Sequence, residues 1–298
     1  LTPLTPPVQA RRPFTWVGWQ AAKELELVRG SYLFQDDPSR ILQDPESLRA
    51  SYIRLGSAWQ AWGTLRDAVA QQINSGEQNP AIFLDAKPTD AWVLATPWVA
   101  QYHVKGGPLS NGRSGYVMSN ANWDPYPISN DVESLTLAIG NMDIAVMVRQ
   151  AKFASAFFTM QTQAEILKDR PGAVVGGQAP GGFTPREVWQ HIQPLLNPIT
   201  PEGYSADYQQ VEELDSQSVL KIVRAREVID ETMMLLAADF ATGARWMDLR
   251  KIQDAKRSFG DGPNAALDAF HKAKAAQGGA PEGEFILGFF RSNPAAGF

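Results

Sequence analysis

Side chains that attack, ligate metals or carry protons are the starting point for any chemistry, and the first two kinds are scarce here. The chain has no cysteine, which removes thiolate nucleophiles, disulfides, iron–sulfur clusters and thiolate zinc sites. Its three histidines, His103, His191 and His271, are scattered and leave little for a metal centre, so no metal is expected. No serine stands in a Gly-x-Ser-x-Gly elbow. The run Gly176-Gly177-Gln178-Ala179-Pro180-Gly181-Gly182 lacks the Lys-Ser/Thr ending of a phosphate loop and the strand–helix setting of a dinucleotide site, and reads as a flap or linker. What remains is a dense polar run, Gln43-Asp44-Pro45-Glu46-Ser47-Leu48-Arg49, then Gly56, Asn74 and Asn79-Pro80-Ala81-Ile82-Phe83. Carboxylates of this kind can move protons, and a guanidinium can fork onto a carboxylate.

These residues must be held by elements that the hydrophobic pattern supplies. With 298 residues and 44% apolar composition, a sizeable core can form. Lys plus Arg is 27 against 32 Asp plus Glu, a net charge of −5, so no basic surplus exists for nucleic acid. No apolar stretch approaches the ~18–20 residues of a membrane span, and no membrane partner is expected. The spacing predicts helices over 18–34, fraying near Gly30-Ser31, and over 47–74, through Tyr52, Leu55, Trp59, Trp62, Leu65, Val69 and Ile73. Another starts in the stretch after Pro127 and runs through Phe153, Phe157, Phe158 and Met160 toward Ile166. It is apolar on much of its circumference, as in a bundle interior. A glycine- and proline-rich mobile loop over 170–184 leads into a short helix near Pro185, and a third long helix spans about 211–252. A short helix over 264–275 and a tail bearing Phe285, Phe289, Phe290 and Phe298 follow, the tail aromatics suggesting docking onto another surface. The fold class is mainly α, a long-helix bundle with a small β-containing insertion.

The motif pair is more specific than the composition. Counted from Gln43 to Asn79, 36 positions separate two runs that together resemble the ammonia-lyase and aminomutase superfamily acting on histidine, phenylalanine and tyrosine. Its members carry Gln-Asp-Pro-Tyr-Ser-Leu-Arg, a Gly in the same helix, and then Asp-Asn-Pro-Leu-hydrophobic-Phe. Asn122-Trp123-Asp124-Pro125-Tyr126-Pro127 looks like the family's Gly-Asn-Phe-His-x-Glu-Pro loop. Gln210-Val211-Glu212-Glu213, with Asp248-Leu249-Arg250 beyond it, looks like the Asn-Gln-Glu-Asp segment and its Asp-Leu-Arg. The expected organisation is a proline-rich connector over 1–17, a helical bundle domain of the ammonia-lyase (fumarase/aspartase-like) type over 18–253 with an insertion at 86–118, and a short helix and tail over 254–298.

The resemblance implies an oligomeric, tetramer-like assembly whose active sites collect residues from several chains around a methylidene-imidazolone electrophile. That group forms at an Ala-Ser-Gly triplet, which occurs nowhere in this sequence. The electrophile is therefore expected on a partner chain, an amino-terminal half polypeptide or subunit of the same enzyme. The opening Leu1-Thr2-Pro3, without an initiator Met, is expected of a processed or dissociated piece or of a trimmed chain. Carried over by position, Arg49 matches the arginine that binds the substrate carboxylate, where a guanidinium fork keeps its charge at any working pH. Glu212 matches a position contacting the substrate amine or side chain, Asn122 and Trp123 the loop beside the electrophile, and Gln43 and Asn74 polar positions near it. Glu46 replaces the motif's tyrosine and makes, with Glu212, a candidate proton-handling pair; Ile53 and Val211 stand where relatives have Gln. Two readings follow. One is the carboxy-terminal part of a lyase or aminomutase acting on an aromatic or related amino acid; the other is a non-catalytic scaffold or binding subunit. The compartment stays open, cytoplasmic by resemblance, with an exported chain equally compatible with the absent cysteine.

Overall fold

Helix α1 (Trp16–Leu27) begins where Thr15, in extended conformation, accepts a hydrogen bond from the Gly18 amide at 3.1 Å, a side-chain cap on an otherwise orphan donor. The computed structural model describes residues 15–35, 44–76, 78–153, 163–173, 185–199, 202–203, 214–277 and 282–293. The proline-rich opening, Gln43, Phe157, Phe158 and Met160, the glycine run 176–182, Val211, Glu212 and Phe298 lie outside the described residues.

The chain divides into two units. The first comprises 1–63, 132–199 and 220–298, and the second 64–131 and 200–219. Three helices carry the chain across that division: α3 (Ser51–Ile73), α5 (Tyr126–Phe153) and α8 (Ser218–Gln253). The helix expected over 47–74 is two helices, α2 (Glu46–Arg49) and α3, parted at Ala50, whose ψ of 13° breaks the α geometry. The helix expected over 18–34 ends at Leu27 and is followed by a 3₁₀ turn at Tyr32–Phe34. The long helix α5 starts at Tyr126, ahead of Pro127, because proline fits the first turn of a helix.

In the first unit, small residues decide where helices meet. Ala237, Ala241 and Ala244 of α8 form a low ridge into which Leu267 and Phe270 of α9 (Asp261–Ala276) and Ile286 and Phe289 of α10 (Glu282–Ser292) pack, all buried. The aromatic tail is thus a helix docked on its own unit, a correction to the expectation that it reaches for another surface. Phe285 and Phe289 recur at helical spacing and pack against Phe270, tilted and edge-on, at ring centroid distances of 5.7 and 5.3 Å. A second cluster joins Met142 and Val146 of α5, Val188 and Ile192 of α7 (Pro185–Leu195), and Val228 and Leu235 of α8. The short helix α6 (Gln163–Lys168) buries Ile166. At Gly56 of α3, an added Cβ would lie 2.5 Å from the Val17 Cα, so glycine is what lets α1 and α3 touch backbone to backbone.

The second unit holds an antiparallel sheet in the order β1-β3-β2, formed by Ala81–Leu84, Gly115–Met118 and His103–Val104. Register pairs Phe83 with Tyr116 and His103 with Tyr116, and Tyr116 is fully buried against Val93 and Val99. A short helix α4 (Ala91–Ala95) brings Trp92 edge-on to Tyr116 at 5.2 Å. Two further short strands, β4 (Glu202–Gly203) and β5 (Leu214–Asp215), pair antiparallel just before α8.

One carboxyl of the first unit is buried with a single hydrogen bond among the described residues. Asp143 of α5 has no exposure; its Oδ2 accepts from Thr232 Oγ1 of α8 at 2.8 Å, and its Oδ1 has no hydrogen-bond partner among the described residues. Burial, only partly opposed by the Thr232 hydroxyl, pushes its pKa up to about 7 from 3.8. A raised carboxyl pKa favours the fold at acid pH. Asp143 therefore contributes stability that is full below about pH 4 and is lost as the pH rises to about 7, by roughly 4 kcal/mol at most. Asp143→Asn is expected to flatten this loss, gaining on the parent between pH 5 and 8 in denaturant titrations; parallel pH profiles would contradict it. Gly56→Ala is expected to destabilise by about 1–3 kcal/mol through overpacking against Val17, and an unchanged midpoint would refute the close contact.

Candidate active site

Arg49 closes the one-turn helix α2, and its Nε donates to the Asp44 carbonyl at 3.1 Å. That single bond fixes the plane of the guanidinium while, among the described residues, the two terminal nitrogens make no hydrogen bond. The result is a half-buried two-pronged edge of the shape that grips a carboxylate. Glu46 lies one turn earlier on α2 and is exposed, so it shares a face of that helix with Arg49; Ile53, beyond the break, is exposed too. The opposite face turns in, with Ser47 and Tyr52 buried.

What positions α2 is a polar cluster that sequence reading missed. Ser51, the first residue of α3, donates its hydroxyl to Glu24 Oε2 of α1 at 2.7 Å. Gln20 donates to the other oxygen of Glu24 at 3.1 Å. Burial pushes the Glu24 pKa up, and the bonds from Ser51 and Gln20 and the charge of Arg149 pull against it. Arg149 of α5 forks onto Asp239 of α8, with Nε to Oδ1 at 3.2 Å and Nη2 to Oδ2. Burial works against the charge of Arg149, and the carboxylates of Asp239 and Glu24 more than restore it. Four helices are thus tied by one ionic chain beside the α2–α3 break. No local signal announces it, because its partners stand 27 and 90 residues apart.

Asn74, Asn122 and Trp123 belong to the second unit, and Asn74 follows α3 where Arg49 precedes it, with the 23 residues of that helix between them. Asn74 donates to the Ala70 carbonyl at 2.7 Å, a helix-end bond. Asn122 is held more fully. Its carbonyl accepts from Gln72 Nε2 at 2.7 Å, its side chain donates to the Gly76 carbonyl at 3.3 Å, and its amide donates to Asn120 Oδ1 at 3.0 Å. Asn120 in turn donates through Nδ2 to the Gln78 carbonyl at 2.7 Å and through its amide to Asn79 Oδ1 at 3.1 Å. The two sequence runs, Asn79-Pro80 and Asn122-Trp123, are therefore one hydrogen-bonded structure, brought together by the pairing of β1 with β3. Asn120 was not singled out by the motif, although the alternation Asn120-Ala121-Asn122 was there to be seen. Trp123 is 41% exposed. Gln43 and Glu212 lie outside the described residues. Among the described residues, no group of His, Cys, Asp and Glu could hold a metal ion.

The fold has counterparts. The family model for aromatic amino acid lyases matches residues 1–272. No curated protein matches the chain. Solved structures similar to it include histidine ammonia-lyase from Trypanosoma cruzi, at 12% identity and a TM-score of 0.69, covering 98% of this chain and 49% of that one. The ergothioneine-degrading ergothionase from Treponema denticola matches at 19% identity and a TM-score of 0.66, covering 94% and 50%. Tyrosine aminomutase from Streptomyces globisporus matches at 16% identity and a TM-score of 0.61, covering 96% and 51%. At these identities the likeness is one of fold, and the chain spans about half the length of the proteins it matches. With the family model running from its first residue past the end of α8, the chain belongs to the aromatic amino acid lyase family.

Proposed function

We propose that this chain is the carboxy-terminal part of a lyase-type catalyst that eliminates or migrates an amine on an aromatic or related amino acid, in an oligomer with an amino-terminal polypeptide that carries the electrophile. The carrying observation is Arg49, held at Nε by the Asp44 carbonyl with its outer edge turned away from that bond. The methylidene-imidazolone, formed on the other polypeptide, supplies the electrophile of the reaction. Exposure of Trp123 and Asn122 fits a group that arrives from outside this chain.

In this reading Arg49 binds the substrate carboxylate and Trp123 forms a pocket wall. Gln43, Asn74 and Asn122 complete the polar surroundings. Elimination breaks the β C–H bond and the Cα–N bond and forms a double bond; the proton passes to a carboxylate base and the amine leaves with its electron pair. Migration re-forms the C–N bond at the neighbouring carbon. Glu46 and Glu212 are the carboxylates proposed to hold that proton or the departing ammonium. A second reading, a non-catalytic scaffold, draws support from Glu46 and Ile53, both exposed, where the family motif has tyrosine and glutamine.

The test is reconstitution with a polypeptide bearing Ala-Ser-Gly. The chain alone is expected to show no turnover. The complex is expected to turn over and to absorb as an imidazolone does, and Arg49→Ala is expected to raise KM by about 10²-fold or more. Imidazolone absorbance without turnover would favour the scaffold. Unchanged kinetics in Arg49→Ala would remove Arg49 from the site.

A further inference from the structure

Beside the ionic chain at Arg149, the first unit opens into a cavity of about 710 Å³ between α1, α3, α5, α8 and α10, within the range that small-molecule sites occupy. Four aromatic side chains line it: Trp19, Trp59, Phe240 and Phe290. Trp59 is 38% exposed, yet neighbouring rings hold it. It stacks on Trp16 with centroids 6.2 Å apart and meets Trp19 edge-on at 5.9 Å. Phe240 and Phe290 lie 6.3 Å apart in a tilted contact. The faces of such rings are electron-rich and attract organic cations.

The charges on the same walls favour the same sign of ligand. Three carboxylates line the cavity, Glu24, Glu26 and Asp239, against two cations, Lys23 and Arg149. Asp239 takes the Arg149 fork, with both side chains largely buried. Lys23 meets Glu26 at 3.2 Å in an exposed pair that solvent screens. Glu24 is the third carboxylate. Its oxygens accept from two neutral groups, Ser51 at 2.7 Å and Gln20 at 3.1 Å, and among the described residues it forms no ion pair of its own. The field of Arg149 reaches Glu24, but that one charge already answers Asp239. With Glu24 ionised, the charged side chains of the walls sum to one negative charge. Burial raises the Glu24 pKa, and a cation beside it would favour the ionised form.

We propose that this cavity is a binding site for an organic cation, a quaternary ammonium whose head lies near Glu24 and whose apolar body lies against Trp19 and Trp59. A quaternary head keeps its charge at every pH and is the kind of cation that aromatic walls recognise. The lyase reading gives these residues no role.

Isothermal titration of the full chain with benzyltrimethylammonium and with benzyl alcohol, which has the ring without the charge, tests the proposal. It reads binding directly and so holds or fails separately from the lyase reading. The cation is expected to bind at least tenfold more tightly than the alcohol. Glu24→Gln is expected to erase that preference. Trp59→Leu, at an exposed position away from the Glu24 hydrogen bonds, is expected to weaken the cation at least fivefold; thermal unfolding midpoints check that both variants are folded. Equal affinity for the cation and the alcohol in the parent chain, or parental cation affinity in a folded Glu24→Gln or Trp59→Leu chain, would overturn the proposal. So would a cation affinity that falls as the chain concentration is raised, the sign of a second copy of this chain seated in the groove.

Discussion

A buried guanidinium must be paid for with carboxylates, and that constraint at Arg149 organises the first unit. Its fork onto Asp239 joins α5 to α8, and its field on Glu24 reaches α1, from which Ser51 ties in the start of α3. Removing one partner of such a cluster leaves a desolvated charge, which is why buried pairs are costly to break. The chain of contacts ends at the break between α2 and α3. Arg49 stands immediately before that break, so the guanidinium proposed to bind a carboxylate lies beside a network with which it shares no hydrogen bond among the described residues.

In the second unit the loop is held by exposed neutral groups. Amides from Gln72, Asn79, Asn120 and Asn122 satisfy one another and the surrounding carbonyls, and hold a loop that a sheet of short strands brings beside the end of α3. Hydrogen bonds between exposed neutral groups are individually weak. Their worth is geometric, since together they tie the Asn120–Asn122 backbone to the end of α3, with Trp123 partly exposed beside it. Trp123 in place of phenylalanine adds an N–H donor at that position.

Much of this was legible in the sequence, for reasons specific to each element. The helices α3, α5 and α8 announce themselves by apolar residues at a sustained three-to-four-residue period, and the motif pair at Gln43 and Asn79 marks the family. The start of α8 at Ser218, seven residues beyond the expected 211, and the pairing of β4 with β5 were hidden, because two-residue strands leave no periodic trace. Helix α10 was misread as a tail since Gly278-Gly279-Ala280-Pro281 suggested that regular structure had ended, although Phe285, Ile286, Phe289 and Phe290 keep a helical spacing. The ionic cluster at Arg149 and the buried Asp143–Thr232 pair were out of reach, since long-range pairing decides them and neither residue type nor spacing marks it.

The central claim is that this polypeptide supplies the substrate-anchoring part of a reaction chamber shared with a second one. Native mass spectrometry of the assembly purified intact from its source measures this directly. The account predicts complexes containing this chain and a second polypeptide whose peptide map includes an Ala-Ser-Gly segment dehydrated to the imidazolone. A catalytically active assembly made only of this chain would contradict it.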